Sequence, residues 1–147
     1  MTDAIALLKE NIKAFNDGDF FQLAATYADD VVYVEAPTQR RTEGKEATVE
    51  LFKAWKASFA DAEGTITNIF GSGDQAVAEV TWTGTHTGDM EGSGGTIPAS
   101  GKKIDVTSSI IVGASDDVIT VENQYFDLMT LLTQIGAIPA PTEAAAT

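Results

Sequence analysis

The stretch from residue 119 to residue 138 constrains the fold most, because its hydrophobic period changes part-way along. Up to Phe126 alternate residues fall on opposite faces, which is the pattern of a β-strand. From Leu128 onward apolar residues recur at the spacing of a helix, and this pattern stops at Gly136. The sequence therefore predicts a strand that runs directly into a short helix, with Asp127 at the junction.

Helical patterns occupy the first part of the chain, and strand patterns occupy the rest. Two clusters of turn residues, at 72–74 and 114–117, each join a pair of strands into a hairpin. The expected elements are helices over 5–15, 20–27 and 45–59, a strand over 31–35, a loop over 38–43, strands over 65–70 and 76–87, a glycine-rich loop over 88–101, and strands over 103–112 and 118–126.

This order of elements predicts one α+β domain over residues 1–138. We expect a curved antiparallel sheet wrapped around the N-terminal helices, which makes a cone with a single pocket for a small molecule. Residues 139–147 contain little that could be buried, so we expect a disordered C-terminal tail.

Composition narrows the possible partners. The net charge is −13, with nine basic residues, so nucleic acid and anionic membranes are not expected to bind. No apolar run approaches the roughly 20 residues of a membrane span, and the first residues lack a signal-peptide pattern, which favours a cytoplasmic protein. With no cysteine and one histidine, the chain offers neither a thiolate nor a metal-ligand cluster.

His86 is the first candidate for chemistry. The strand that contains it places it on the same face as Val80 and Trp82, the face expected to turn inward. An inward histidine can relay protons near neutral pH. A core histidine bonded to a backbone carbonyl explains the same pattern, and the sequence leaves both interpretations open.

Asp127 is the second candidate, and by alternation it shares a face with Asn123 and Tyr125. A carboxylate held against aromatic walls has a raised pKa and can act as general acid or base. Asn123 and Tyr125 could then orient it or donate to a ligand oxygen. The same aspartate is also a favoured helix N-cap, which would account for it without any chemistry.

The remaining aromatic and charged residues have plainer explanations. Phe52 and Trp55 lie at helical spacing and fit a core or a cavity wall, and Trp82 is a wall candidate because it shares a face with the histidine. Glu35 is expected at the surface, where its strand ends. The glycine-rich loop lacks the setting of a phosphate cradle and fits a lid over the pocket.

Three motifs, WTGTHTG at 82–88, SGK at 100–102 and YFDLMTLLTQIG at 125–136, resemble those of the SnoaL-like polyketide cyclases. These belong to the nuclear-transport-factor-2-like cone superfamily, and the resemblance extends over residues 29–139. It implies that Asp127 is the acid/base residue of an intramolecular aldol condensation without cofactor or covalent intermediate. It also implies that His86 lines the pocket and that the protein is a homodimer. Many members carry His or Trp a few residues before the aspartate, where this chain has Glu122, Asn123 and Gln124.

Two related activities fit the residues less well. Ketosteroid isomerases place an aspartate just before a proline at the end of the first strand, where this chain has Ala36 and Pro37. Epoxide-hydrolase-like enzymes of this superfamily use an Asp–Arg–Asp set, and no arginine follows Arg41.

The function expected from the sequence is therefore cofactor-free acid/base catalysis on an uncharged, hydrophobic or weakly polar carbonyl compound. The reaction would be an aldol-type cyclisation or a related isomerase or lyase reaction. Asp127 would move the proton and His86 would polarise the substrate; the remaining contacts would come from Asn123, Tyr125, Trp82, Trp55 and Phe52. The alternatives are a non-catalytic module that binds a small hydrophobic molecule and an epoxide-hydrolase-like hydrolase.

Overall fold

The computed structural model describes residues 2–92 and 94–139. In this part of the chain the helices and strands follow one another as the sequence predicts, with a 3₁₀ turn, one short strand and a short hairpin added. In order they are α1 (Ala4–Asp17), α2 (Phe20–Ala25), β1 (Tyr27–Glu35), a 3₁₀ turn (Ala36–Thr38), β2 (Arg40–Glu43), α3 (Lys45–Ser58), β3 (Glu63–Ser72), β4 (Gln75–Thr85), β5 (Met90–Gly92), β6 (Gly95–Ile97), β7 (Lys103–Ser115), β8 (Val118–Phe126) and α4 (Leu128–Gln134).

Aspartates begin three of the four helices. Asp3, Asp19 and Asp127 each accept a hydrogen bond from the backbone N–H three residues later, which satisfies one of the free donors of the first turn. Helix α1 ends at Gly18, whose φ of 68° is the left-handed conformation that glycine adopts without strain. These local signals explain why the helix boundaries follow the sequence prediction closely.

Six strands form one curved, open sheet in the order β2-β1-β8-β7-β4-β3. All neighbouring pairs are antiparallel except β1 and β8, which run parallel, so the sheet is mixed where the sequence predicted an antiparallel one. Helices α1 to α3 pack on its concave face, and their apolar side chains, among them Leu8, Ile12, Phe15 and Phe52, are buried there. The α+β cone expected from the element order is confirmed.

A β-bulge in β8 decides which of its residues face the cone. Ile119 pairs with Ala114, but Val121 pairs with Gly113, so β8 contributes one residue more than β7 over this step. Thr120 is the extra residue. Because the side-chain period of a strand is two, one extra residue moves every later side chain to the opposite face.

The predicted orientation of Asn123 and Tyr125 is therefore wrong. They lie on the outer, convex face, where Tyr125 is 49% exposed. Glu122 and Gln124 point into the cone instead, and both are buried.

The two loops predicted at 38–43 and 88–101 contain regular structure. The first includes β2, which pairs with β1, and the second includes the small β5–β6 hairpin. The start of this second segment is fixed to the end of α3, where Thr87 and Gly88 donate backbone hydrogen bonds to the Ser58 carbonyl. A Cβ at Gly88 would lie 2.1 Å from the Ala57 carbonyl oxygen, so this close approach requires glycine.

No helix within residues 2–92 and 94–139 is long and apolar enough to cross a membrane. Of the tail predicted to be disordered, residues 140–147 lie outside the described residues.

Candidate functional site

An apolar cavity lies between the helices and the concave face of the sheet. Its volume is about 80 Å³. Three of its lining rings, Trp55, Trp82 and Phe126, are half-buried, so the cavity meets solvent beside them. The lining consists of the aromatic residues Phe15, Phe52, Trp55, Phe59, Trp82 and Phe126, the aliphatic residues Ala62, Ile104, Val106 and Leu131, and one amide, Gln124.

The aromatic rings hold one another in edge-to-face and stacked pairs. The Phe15 and Trp82 rings meet edge-on, with centroids 5.3 Å apart, and Trp55 meets Phe126 in the same way at 5.9 Å. Both indole N–H groups are already bonded, Trp82 to the Ser108 hydroxyl at 2.9 Å and Trp55 to a carboxylate described below. The rings therefore present carbon to the cavity. Three residues predicted as walls, Phe52, Trp55 and Trp82, do line it.

Gln124 connects the cavity to buried polar groups. Its Nε2 donates to the Tyr33 hydroxyl at 3.2 Å, and that hydroxyl donates to Glu35 Oε2 at 2.7 Å. Of the described residues that line the cavity, Gln124 alone carries an amide and none carries a charge. A ligand oxygen that needs a hydrogen bond inside the cavity would therefore meet Gln124.

Glu35 is fully buried, which corrects its predicted place at the surface. Its Oε2 also accepts the Trp55 indole N–H at 3.1 Å, and its Oε1 accepts the Thr38 hydroxyl at 2.7 Å. The Arg40 guanidinium lies 3.8 Å from Oε1. These donors are why a carboxylate is tolerated here, since an unpaired buried charge would be strongly destabilising.

Glu122 is the second buried carboxyl group, on the same face of β8 as Gln124 and beside Tyr33 of β1. It accepts one hydrogen bond, from the Tyr27 hydroxyl at 2.8 Å. Burial raises the pKa of Glu122 from 4.5 to about 7; the Tyr27 bond opposes this shift and the negative charge of Glu35 adds to it. Glu122 can therefore gain and lose a proton near neutral pH.

The two tyrosines do not ionise near neutral pH. Burial raises the pKa of each tyrosine well above its ordinary value of 10; Glu122 adds to the shift of Tyr27, and Glu35 and Glu122 add to that of Tyr33. Both hydroxyls consequently keep their protons over the whole neutral range.

His86 is buried and points inward, as its strand position predicts, but it does not line the cavity. Its ring lies against Phe59, with centroids 5.2 Å apart. Nδ1 accepts the Ser100 backbone N–H at 3.2 Å and lies 3.0 Å from the Ser100 hydroxyl. A neutral ring with Nδ1 as acceptor carries its proton on Nε2, and Nε2 has no hydrogen-bond partner among the described residues.

Asp127 is exposed and does not line the cavity, so the expectation that it faces the cavity is wrong. One carboxylate oxygen accepts the Thr130 backbone N–H at 3.0 Å and the other accepts the Thr130 hydroxyl at 2.6 Å. These two bonds hold the pKa of Asp127 below its ordinary value. The geometry is that of the helix N-cap, and a part for Asp127 in catalysis stays a prediction.

The sequence does not predict the inward polar groups of β8, because the bulge at Thr120 has no mark in it. The available signal was the stretch from Glu122 to Gln124, where the chain departs from the motif it otherwise resembles. No group of three or more His, Asp or Glu within residues 2–92 and 94–139 is arranged to hold a metal ion.

The family model for the SnoaL-like polyketide cyclases matches residues 5–135. The chain belongs to this family. No protein with a curated description matches its sequence.

Solved structures of other proteins show the same fold. The chain is 20% identical to a SnoaL-like protein from Jannaschia sp. CCS1, with a TM-score of 0.78, covering 95% of this chain and 98% of that one. It is 26% identical to TsrD from Streptomyces laurentii, with a TM-score of 0.77 and coverage of 90% and 94%. AclR from Streptomyces galilaeus, proposed to be a hydroxylase, is 18% identical, with a TM-score of 0.80 and coverage of 96% and 85%.

Proposed function

We propose that this SnoaL-like protein is a small-molecule enzyme that moves a proton at the carbon next to a carbonyl group, without a cofactor. The observation that carries the proposal is Glu122, a buried carboxyl group that titrates near neutral pH on the same strand face as the cavity amide Gln124. A general base is most effective when its pKa lies near the working pH. The apolar lining lowers the local dielectric constant, which strengthens the electrostatic interactions inside.

In the proposed reaction Gln124 holds the substrate oxygen and Glu122 exchanges the proton. The C–H bond next to the carbonyl breaks, its proton passes to the Glu122 carboxylate, and the electron pair moves onto the oxygen as an enolate. The Gln124 amide N–H donates to that oxygen and stabilises the charge. In an aldol-type step the enolate carbon then attacks a second carbonyl carbon, the C=O π bond there opens to an alkoxide, and the alkoxide takes the proton from Glu122. In an isomerisation the enolate takes the proton back from Glu122 at another carbon.

One bridging water would connect Glu122 with the substrate. Residues two apart on a strand are roughly 6 to 7 Å apart along it, so Glu122 lies one side chain deeper than Gln124. A general base can act through one water molecule. His86 retains a supporting place in the proposal, because its ring packs against Phe59, which lines the cavity, and so helps to fix that wall.

Cyclohexanone in heavy water tests the proposal without knowledge of the natural substrate. The wild type should accelerate exchange of the α-protons for deuterium, followed by proton NMR. Glu122→Gln should exchange the α-protons about 10²–10⁴-fold more slowly than the wild type. Asp127→Asn should retain it, whereas loss in Asp127→Asn and not in Glu122→Gln would restore Asp127, the base predicted from the sequence.

A second candidate function is binding without catalysis. It is favoured by the absence of any titratable side chain among the described residues that line the cavity. Saturable binding of cyclohexanone with no exchange above the buffer rate would support this function and refute the first.

We also propose that the protein is a homodimer joined through the outer face of the sheet. Three large apolar side chains of neighbouring strands are exposed there, Ile111 at 40%, Val121 at 37% and Tyr125 at 49%. Exposed apolar clusters commonly mark protein interfaces. Light scattering after gel filtration should give twice the monomer mass for the wild type and the monomer mass for Ile111→Glu/Val121→Glu; a monomeric wild type refutes the proposal.

A further inference from the structure

We propose that the cavity selects a compact, uncharged ligand of one six-membered ring or less that carries a single hydrogen-bonding oxygen, and that Phe52 sets this size limit. The inference concerns the same cavity as the proposed function and names the class of substrate for it. It rests on the volume of the cavity, the chemistry of its lining and the position of one ring.

The volume sets the size. A buried cavity that accommodates benzene measures about 150 Å³, and the cavity of this protein measures about 80 Å³. The aromatic lining leaves little room for adjustment, because Phe15 and Trp82 and then Trp55 and Phe126 are already in ring-to-ring contact. A ligand of one ring fits only with part of it at the opening, and a fused second ring has no space.

The lining sets the polarity. A charged group in this cavity would have no charged partner among the described lining residues, and burying an unpaired charge is strongly unfavourable. Gln124 is the lining side chain that can hydrogen bond a ligand, and one of its donors is already used by Tyr33. A neutral ligand with one carbonyl or hydroxyl oxygen matches this lining.

The Phe52 ring lies between the cavity and the rings of Tyr27 and Tyr33. It lines the cavity, and it also stacks on Tyr27 at 6.5 Å and meets Tyr33 edge-on at 5.1 Å. Those tyrosines hold Glu122 and Glu35. Removing the Phe52 ring would therefore extend the cavity by about one ring and place hydroxyl groups at its inner end.

Tryptophan fluorescence gives a direct measure of occupancy, because both tryptophans of the chain, Trp55 and Trp82, line the cavity. The probes are cyclohexanone, the fused two-ring ketone 1-decalone and the cyclohexylammonium ion. The wild type should bind cyclohexanone at least about tenfold more tightly than either of the others. A wild type that prefers 1-decalone or cyclohexylammonium overturns the inference.

Variants of Phe52 test the size limit. Phe52→Ala should reverse the preference in favour of 1-decalone. Phe52→Leu should shift the preference in the same direction and is the variant to use if Phe52→Ala does not fold. Leu8→Ala is the control, because Leu8 is fully buried but does not line the cavity. The preference of this variant for cyclohexanone over 1-decalone should match that of the wild type. An unchanged preference in both Phe52 variants overturns the assignment of Phe52.

The outcomes also separate this inference from the proposed function. Tight, size-selective binding of cyclohexanone without α-proton exchange would uphold the inference while the proposed catalysis fails. Exchange that is faster with 1-decalone than with cyclohexanone would uphold catalysis and overturn the size limit.

Discussion

Replacing Glu122 by glutamine should remove a pH-dependent loss of stability from the protein. Glutamine has the same shape, and its amide oxygen can still accept the Tyr27 hydroxyl, but it cannot ionise. In the folded protein Glu122 keeps its proton up to about pH 7, whereas in the unfolded chain it loses the proton near pH 4.5. Between these values the unfolded state binds fewer protons, so the free energy of unfolding falls as the pH rises.

The size of the effect follows from the shift in pKa. Each unit corresponds to about 1.4 kcal/mol, so the shift of Glu122 from 4.5 to about 7 gives a total of about 3 kcal/mol. Part of this lies below pH 5, which leaves about 2 to 3 kcal/mol between pH 5 and pH 8. The stability of Glu122→Gln relative to the wild type should rise by this amount over that range.

Urea denaturation of both proteins at pH 5 and pH 8 measures this difference, provided that the urea dependence of the two proteins is the same. Asp127→Asn is the control. The pKa of Asp127 is lowered in the folded state, so its contribution is lost only as the pH falls through values below 3.8, and its effect should be flat from pH 5 to 8. A constant difference between Glu122→Gln and the wild type would refute the buried, titrating carboxyl group.

Three further substitutions test the surroundings of the site. Tyr27→Phe removes the bond that opposes the effect of burial, so carbon-13 NMR should show the pKa of Glu122 rising further; a fall would contradict the account. Trp55→Phe removes one of the donors to the buried Glu35 and should lower the free energy of unfolding by about 1–3 kcal/mol in urea denaturation, and no change would mean that the bond does not form. Asp127→Ala should lower it by about 0.5–2 kcal/mol through loss of the helix cap, with α-proton exchange unaltered, and a loss of exchange would argue for a catalytic Asp127.

The sequence predicts the fold well because its elements are marked by local signals. The change of period near Asp127, the capping aspartates and the turns at 72–74 and 114–117 depend only on neighbouring residues. The parallel pairing of β1 with β8 has no such signal, because it joins segments that are far apart in the chain.

The candidate site is predicted only in part, because alternation is a local signal that holds in a regular strand and fails at a bulge. Trp82 lies in the regular strand β4 and His86 follows directly after it, so alternation places both correctly on the inward face. In β8 the bulge at Thr120 reverses the faces, and alternation selects Asn123 and Tyr125 in place of Glu122 and Gln124.

Burial of Glu35 depends on groups that only the fold brings together. Trp55 comes from α3, while Tyr33, Thr38 and Arg40 come from β1 and the segment after it. A strand-end glutamate two residues before a proline gives no sign of these contacts in the sequence.

The most direct test of the central claim is a carbon-13 NMR titration of the side-chain carboxyl groups, with Glu122→Gln to assign the signal. One glutamate carboxyl group should titrate near pH 7, and its signal should disappear in Glu122→Gln and persist in Asp127→Asn. Saturating cyclohexanone should move that midpoint, because the ligand would occupy the cavity beside Gln124. If every glutamate carboxyl group titrates near its ordinary value of 4.5, then Glu122 is not the acid/base group and the proposed function fails.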